Sequence, residues 1–259
     1  MKNNTRRLIK FLVITFSITW ISWLADALLI KFTNFSWPDV LPMILFTVGG
    51  FGPTIAALLC LEGGFSMNKL KRILFKGNRG SLPFIFAALI LETAAFFISS
   101  DGLNKMIPRS PVAIIAMLII FLQSALLFGG NEEIGWRGTM LPILQEKIPA
   151  TAAALITAIV WVCWHIPLWF IEGDPHQGSP FLFFAILGIA LSFWLSAVYN
   201  FTGALIFCMI LHGWTNTLLG IFVIRYDALF YITIGALTLL SVLVSIRAEH
   251  SKGKKLEKV

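Results

Sequence analysis

Uncharged apolar residues occur along this chain in long blocks rather than in the narrow stripes of amphipathic helices. Each block is about 20 residues long, the length that an α-helix needs to cross the hydrocarbon core of a bilayer. Turn residues separate the blocks at 34–38, 62–64, 107–108 and 173–175. The pattern predicts spans at 8–30, 41–61, 81–99, 111–129, 150–171, 181–200, 202–222 and 228–246. We therefore predict an all-α, polytopic integral membrane bundle of about eight transmembrane helices.

Composition supports a membrane protein. Hydrophobic residues make up 58% of the chain and charged residues only 13%, whereas soluble domains are nearer a quarter charged. The net charge of +7 comes from residues between the blocks, which indicates a lipid bilayer and not nucleic acid as the partner. Since no internal repeat is evident, we expect one integral-membrane domain over 1–259, with a basic cytoplasmic tail at 247–259.

Basic residues also predict the orientation. If both termini are cytoplasmic, 16 of the 20 Lys and Arg residues fall on the cytoplasmic side, and only Lys31, Lys105, Arg109 and Arg225 lie outside. This asymmetry follows the positive-inside rule, so we predict a multi-pass protein of the cell membrane with N-in and C-in topology. The first block resembles a signal peptide, but it exceeds the roughly 7–15 apolar residues of a cleavable one. We expect it to remain as the first helix.

A few reactive residues receive no role, because none has a partner at a meaningful spacing. The cysteines show no CxxC pattern, which argues against a disulfide framework or a thiolate metal site. The residues without an assigned role are Cys60, Cys163, Cys208, Asp26, Glu92, His176 and His250.

Residues 131–138, NEEIGWRG, place charged side chains directly after an uncharged block. Glu133 and Arg137 are four residues apart, so on a helix they share a face and can pair. Glu132 points about 100° away from Glu133. One carboxylate can then be neutralised by the arginine while the other serves chemistry. The alternative is a cytoplasmic loop with an ordinary solvated ion pair.

His165 lies in WVCWHIPLWF, a run without another ionisable group. Trp161 is four residues earlier on the same helical face, and Pro167 leaves the carbonyl of Cys163 without its helical partner. A charged or strongly polar group at membrane depth is rare and usually functional. A histidine that merely packs remains the alternative.

His212 and Asn216 are also four residues apart, near the middle of the seventh predicted span. Two hydrogen-bonding side chains on one face of a buried helix need a shared partner or a water-filled pocket. The alternative is that they form interhelical hydrogen bonds that only support packing.

Together these groups could catalyse hydrolysis. A carboxylate and a histidine can deprotonate a water, while a second histidine and an amide can stabilise an oxyanion. One geometric difficulty arises, because His165 would lie roughly 22 Å into the fifth span at the helical rise. Either the break at Gly129–Gly130 lets EEIGWRG dip into the membrane, or the fifth helix begins after Ala150.

The order of three motifs resembles the CPBP family of CAAX prenyl proteases of the Ras-converting type and bacteriocin-processing or immunity proteins (the Abi group). The matching stretches are EEIGWR from Glu132, WVCWH ending at His165, and HGWTN from His212. They span a motif-bearing core at about 125–220. One departure is Trp161, where the family usually has phenylalanine, and we expect little effect from it.

The resemblance implies an intramembrane glutamate endopeptidase acting on a membrane-associated or lipidated peptide of the CAAX or bacteriocin type. Carried across, Glu132 and His165 would activate the water, and His212 and Asn216 would form the oxyanion hole. Glu133 and Arg137 would hold the first motif in place.

No cofactor is expected. A zinc ion stays open, because the family has also been described as metalloproteases and two histidines with a glutamate can hold catalytic zinc. Against zinc, the chain lacks an HExxH helix. A non-catalytic immunity or peptide-binding protein and a small transporter remain alternative functions, although the matching half-helices of transporters are not evident.

Overall fold

The computed structural model describes residues 2–77, 80–105 and 112–256, and nearly all of them are helical. The break predicted at Ile107–Pro108, the basic residues Arg79, Arg109 and Lys258, and tail residues 257–259 lie outside these ranges. The helices in the described part are α1 (Lys2–Phe32), α2 (Val40–Gly50), α3 (Gly52–Leu59), α4 (Met67–Phe75), α5 (Ser81–Ile98), α6 (Val112–Leu126), α7 (Glu133–Gly135), α8 (Leu141–Gln145), α9 (Ala150–Trp164), α10 (Phe181–Thr202), α11 (Leu205–Ile221) and α12 (Ala228–Leu256). Short 3₁₀ segments at Gly130–Glu132 and Ile166–Phe170 and a π turn at Trp136–Met140 complete the helical structure.

The predicted all-α membrane architecture is confirmed. Every predicted span coincides with a helix or with a broken pair of helices. Within the described ranges, six helical runs are long and apolar enough to cross a bilayer, and α2 with α3 adds a seventh span if this pair, bent by 43°, counts as one. Two of the six, Val112–Gln145 and Ala150–Phe170, begin with α6 and α9 and continue through the short helical elements that follow them. Helix α11, with 17 residues, is shorter than these runs. The exact number of spans and their orientation stay predictions.

The chain forms two compact units, each built from two stretches of sequence. The first comprises residues 1–70 and 132–189, and the second comprises residues 71–131 and 190–259. Three boundaries separate the units: one within α4, one directly before Glu132 where the first motif starts, and one within α10. The expectation of a single integral-membrane domain stays a prediction.

In the first unit, α1 packs against α2 and α3 through small residues. A Cβ atom on Gly49 would lie 2.2 Å from the indole nitrogen of Trp23, and one on Gly52 would lie 2.2 Å from Oγ1 of Thr19. The approach allows Thr19 to donate to the Gly49 carbonyl at 2.7 Å and Trp23 to donate to the Phe46 carbonyl at 2.9 Å. Close contact of small residues and interhelical hydrogen bonds are the usual means of helix association in lipid.

Helix α7 is held against α3 at a point where only glycine fits. A Cβ atom on Gly135 would lie 2.6 Å from Cβ of Pro53 and 2.7 Å from its carbonyl oxygen. The next residue, Trp136, is fully buried and makes edge-on ring contacts with Phe11 and Trp164, each at 5.7 Å between centroids. These contacts fix the EEIGWRG segment within the first unit.

Polar contacts group the segments that the topology assigns to the cytoplasmic side. Arg7 pairs with Glu62 at 3.1 Å, and Lys147 donates to the Thr5 hydroxyl at 2.7 Å. The N-terminal turns of α1 thus lie beside the loops that follow α3 and α8. This grouping agrees with a shared side of the membrane for these segments.

In the second unit, α11 packs closely against α6. A Cβ atom on Gly213 would lie 2.7 Å from both the Cα and the Cβ of Ala125.

The structure contains one element that the sequence did not predict, a two-stranded antiparallel sheet of β1 (Ser100–Leu103) and β2 (Phe222–Ile224), which pairs Ser100 with Ile224. The strands follow α5 and α11, so two loops predicted to lie outside meet here.

Candidate active site

The first motif begins at a glycine break beside the middle of α11. Helix α6 ends at Leu126, and Gly129 has a φ of +138°, a conformation that favours glycine. At Gly130 an added Cβ would lie 2.2 Å from the Ala125 carbonyl oxygen and 2.8 Å from the Met209 carbonyl oxygen. The chain can therefore leave α6 and start a new helical run only because two glycines stand here.

The EEIGWRG segment is a buried helical run and not a solvated loop. It passes from the 3₁₀ turn through α7 and the π turn into α8. Helix α9 starts at Ala150, where the sequence predicted the fifth span to begin. Of the two solutions to the depth problem, the later start of the fifth helix is therefore wrong, and the break at Gly129–Gly130 is the feature that the structure contains.

Glu133 and Arg137 form the predicted ion pair, and both side chains are 0% exposed. Nη1 of Arg137 lies 3.1 Å from each carboxylate oxygen of Glu133. The alternative of a solvated surface pair is wrong, because burial removes both charges from water. A buried pair is far more sensitive to loss of one partner than an exposed pair, so this one fixes the segment.

Glu132 points to a different neighbour. The indole N–H of Trp161 donates to its Oε2 at 2.7 Å, and the Glu132 side chain is only 6% exposed. This contact joins the first and second motifs across 29 residues. The two adjacent glutamates therefore have separate surroundings, one ionic and one aromatic.

His165 is oriented by the backbone of the same tryptophan. Its Nδ1 lies 2.8 Å from the Trp161 carbonyl oxygen, which can only accept, so Nδ1 carries a proton, and in the neutral imidazole Nε2 has the lone pair. Helix α9 tightens here, because the His165 amide bonds to the Val162 carbonyl at 3.2 Å. Pro167 within the following 3₁₀ segment accounts for the end of the α-helix.

Aromatic rings enclose the His165 imidazole. The rings of Trp161, Trp164 and Phe184 lie 4.7, 4.5 and 5.0 Å away between centroids, with both indoles near perpendicular to the imidazole. Such walls lower the local dielectric and strengthen electrostatic effects on the histidine.

Two residues near His165 were missed from sequence. Oδ1 of Asp174 lies 2.7 Å from Nδ1 of His176 and accepts the His176 backbone N–H at 2.8 Å. The His176 ring lies 6.2 Å from the His165 ring between centroids. The spacing D-x-H signals a local turn, but nothing in it shows that the loop folds back beside α9.

In the second unit, His212 and Asn216 face the glycine break. Nδ2 of Asn216 donates to the Phe128 carbonyl at 2.8 Å. A Cβ on Gly129 would lie 2.6 Å from Nδ2 of Asn216 and 2.9 Å from Nε2 of His212. The two side chains thus share one neighbour, the backbone at 128–129, as their spacing predicted.

The structure brings the predicted residues together in three sets. Glu132 and His165 meet at Trp161, and Glu133 meets Arg137, all in the first unit. His212 and Asn216 meet at Gly129 in the second unit, and Asn131, which accepts from the Gly129 amide at 3.1 Å, precedes Glu132 in the chain.

Zinc would require several of these side chains to converge on one point. Among the described residues, no group of three or more His, Cys, Asp or Glu side chains is arranged to hold a metal ion. The expectation that no metal takes part stays a prediction, and no step below involves one.

Comparison with known proteins agrees with the three motifs. Residues 111–218, which contain all of them, match the family described as Type II CAAX prenyl endopeptidase Rce1-like. Over these residues the chain is similar to CAAX-protease-like membrane proteins. This similarity agrees with the multi-pass membrane architecture described above.

A curated relative aligns with more than half of the chain. Over 175 residues the chain is 25% identical to CAAX prenyl protease 2 from Methanococcus maripaludis. The aligned region covers 62% of this chain and 62% of the relative's length. The bacteriocin and immunity branch of the CPBP family is not specifically indicated by either comparison.

Proposed function

We propose that this protein is a member of the CPBP family and an intramembrane endopeptidase that hydrolyses a peptide bond of a membrane-associated substrate. The observation that carries the proposal is the different environment of two adjacent carboxylates. Glu133 is neutralised by Arg137 in a fully buried pair, whereas Glu132 accepts from the indole of Trp161, whose carbonyl oxygen bonds to His165. A site for hydrolysis needs one such carboxylate to accept a proton.

Water activation is assigned to Glu132 and His165. In the proposed step, a water molecule donates one hydrogen bond to the Glu132 carboxylate and one to Nε2 of His165, whose tautomer is set by the Trp161 carbonyl. As the water oxygen attacks the carbonyl carbon, its proton passes to Glu132. The aromatic enclosure of His165 limits competition from bulk water.

Oxyanion stabilisation is assigned to His212 and Asn216. The Asn216 amide nitrogen has two N–H groups, one of which the Phe128 carbonyl accepts, and the other serves the developing oxyanion together with a ring N–H of His212. Removing one preorganised donor of this type typically lowers kcat by about 10²–10³. The proposal requires both pairs of residues to act on one peptide bond.

The second half of the reaction restores the starting charges. The tetrahedral intermediate collapses, the C–N bond breaks, and the leaving amine takes the proton from Glu132. One product carries the new carboxyl group and the other the new amine, and Glu132 is again a carboxylate.

The substrate class follows from the relative and from the membrane setting. The relative's name specifies a CAAX prenyl protease, so we propose a lipidated peptide whose scissile bond reaches the apolar interior. The reaction as written needs no metal, and a chelator should leave the rate unchanged.

The test is cleavage of a fluorogenic farnesylated CAAX peptide by the purified protein in proteoliposomes, with an unlipidated hydrophobic peptide in parallel. Glu132→Gln, His165→Ala, His212→Ala and Asn216→Ala are compared with the wild type. Glu172→Gln is the matched control, because it makes the same change at an exposed glutamate in the loop after α9.

We expect wild type and Glu172→Gln to cleave the lipidated peptide, with Glu132→Gln at least about 10³-fold slower. Equal rates for wild type and Glu132→Gln would refute the assignment of Glu132. Loss of wild-type cleavage to chelator with recovery on adding zinc would refute the metal-free mechanism. Tight peptide binding without cleavage by any form would favour the immunity or binding function.

A further inference from the structure

We infer that Trp161 is a positioning residue that holds both water-activating groups in place. This inference rests on the proposed function for its catalytic meaning, but the contacts that support it are independent of the reaction. The side chain of Trp161 bonds to Glu132, and its backbone carbonyl bonds to the His165 side chain.

The contact with Glu132 is a buried, charge-assisted hydrogen bond. Its length of 2.7 Å is at the short end for an N–H donor and a carboxylate. Trp161 is 3% exposed and Glu132 6% exposed, so water competes little with the indole. The indole supplies no charge, and it therefore orients the carboxylate without neutralising it.

The contact with His165 depends on how α9 ends. In a regular α-helix the Trp161 carbonyl would accept the amide N–H of His165. Here that amide turns to the Val162 carbonyl, and the imidazole Nδ1–H takes its place at Trp161. The helix end thereby exchanges a backbone bond for one that orients a catalytic side chain.

The indole is itself clamped from the side of α10. A Cβ atom on Gly188 would lie 3.0 Å from Cζ3 of Trp161, and the Phe184 ring lies 6.1 Å away between centroids. A rigid ring seated this closely has little freedom to move its N–H away from Glu132. The geometry between Glu132 and His165 is thus set by one side chain and its own carbonyl.

The decisive variant is Trp161→Phe, which keeps an aromatic ring but removes the N–H donor. A hydrogen bond to a carboxylate favours its ionised form. Losing that bond should make Glu132 take up a proton at a higher pH. Trp169→Phe is the matched control, because it removes an indole N–H that bonds to the Ser179 carbonyl at 2.9 Å in the same unit.

Chemical labelling in the absence of substrate measures the pH at which Glu132 takes up its proton. Dicyclohexylcarbodiimide modifies protonated carboxyl groups in apolar sites, and peptide mass spectrometry gives the labelled fraction of Glu132 at each pH. We expect the labelling midpoint of Trp161→Phe to lie about one pH unit above that of wild type and Trp169→Phe, as loss of a bond of this class implies. The comparison uses the pH at which labelling of Glu132 is half-maximal in each variant, so variants that differ in maximal labelling can still be compared.

A second variant keeps the donor but disturbs its seat. Gly188→Ala places a methyl group against the indole, so its midpoint should move in the same direction by a smaller amount. It also provides the test if Trp161→Phe does not fold. Thermal unfolding in detergent identifies any variant that has lost its structure.

Activity then links the result to catalysis. For Trp161→Phe we expect the acidic limb of the pH–rate profile to move upward with the labelling midpoint, and kcat at neutral pH to fall about tenfold with KM little changed. Unchanged midpoints in folded Trp161→Phe and Gly188→Ala would overturn the inference. A shifted midpoint in a protein that cleaves nothing would support the positioning contact and count against the proposed function alone.

Discussion

Gly129 lies so close to His212 that a Cβ atom at this position would be 2.9 Å from Nε2 of the imidazole. The same atom would lie 2.6 Å from Nδ2 of Asn216. Real Cβ atoms do not make contacts this short, so any side chain at 129 must displace one or both groups. The backbone at Gly129, just before the first motif, is therefore part of the surface against which His212 and Asn216 pack.

Gly129→Ala should abolish peptide cleavage because it strains a backbone at φ +138° and also displaces His212 and Asn216. Gly102→Ala is the matched control, since Gly102 has a φ of +113° but no atom within 4 Å of its Cβ position. Strain alone costs about 1–3 kcal/mol. Both variants should lose stability in thermal unfolding, but only Gly129→Ala should lose activity. Comparable activity loss in both would mean that strain and not displacement is responsible.

Arg137→Met should lower the free energy of unfolding by about 3–5 kcal/mol, because it leaves the Glu133 carboxylate buried without its cation. Arg7→Met breaks the pair with Glu62, whose carboxylate side chain is 64% exposed, and should change stability by less than about 1 kcal/mol. Thermal unfolding in one detergent compares the two. Similar losses would show that burial of the Glu133 pair contributes little.

Thr215→Val should destabilise the second unit. Glu92 on α5 is 2% exposed and accepts a hydrogen bond from the Thr215 hydroxyl, and it lines a cavity of about 100 Å³ otherwise walled mainly by apolar residues. Loss of the donor should cost about 1–3 kcal/mol.

The control for this change is Thr217→Val, two residues further along α11. The hydroxyl of Thr217 is equally buried but bonds only to the Gly213 carbonyl of its own helix. Its loss should shift the unfolding midpoint less than the loss of the Thr215 hydroxyl. The reverse order would show that the contact between α5 and α11 is not what Thr215 contributes.

The orientation can be tested with two exposed asparagines, Asn34 after α1 and Asn68 at the start of α4. In a background without the native cysteines, N-in topology predicts that a membrane-impermeant maleimide labels Asn34→Cys in intact cells. Asn68→Cys should be labelled only after the membrane is opened. The opposite pattern would reverse the topology and move the basic residues between α3 and α5 outside.

The sequence predicted contacts of the site between residues close together in the chain, but it did not predict contacts between residues far apart in the chain. The pair of Glu133 and Arg137 followed from a spacing of four residues, which any helix brings to one face. The contact of Trp161 with Glu132 could not be read in this way, because helical spacing does not say which helices become neighbours. For the same reason the loop histidine His176 received no role, although its ring lies beside that of His165.

Trp161, which stands where the related family usually has phenylalanine, shows that two aromatic residues need not be equivalent. Because both residues are aromatic, tryptophan in place of phenylalanine was expected to have little effect on the site. The structure gives its N–H a partner, Glu132, that phenylalanine could not bind. Similarly, Pro167 was predicted to leave the Cys163 carbonyl without its helical partner, whereas the carbonyl that bonds to the His165 side chain is that of Trp161.

The sequence separations of these contacts have a consequence for biosynthesis. The bond between Glu133 and Arg137 spans 4 residues, that between Glu132 and Trp161 spans 29, and that between Phe128 and Asn216 spans 88. At translation rates of about 5–20 residues per second, the last of these partners leaves the ribosome several seconds after the first. We expect the ion pair to form early in the nascent chain and the contacts of Asn216 to form last. A protein assembled in this order would remain inert toward neighbouring peptides until α11 had been made.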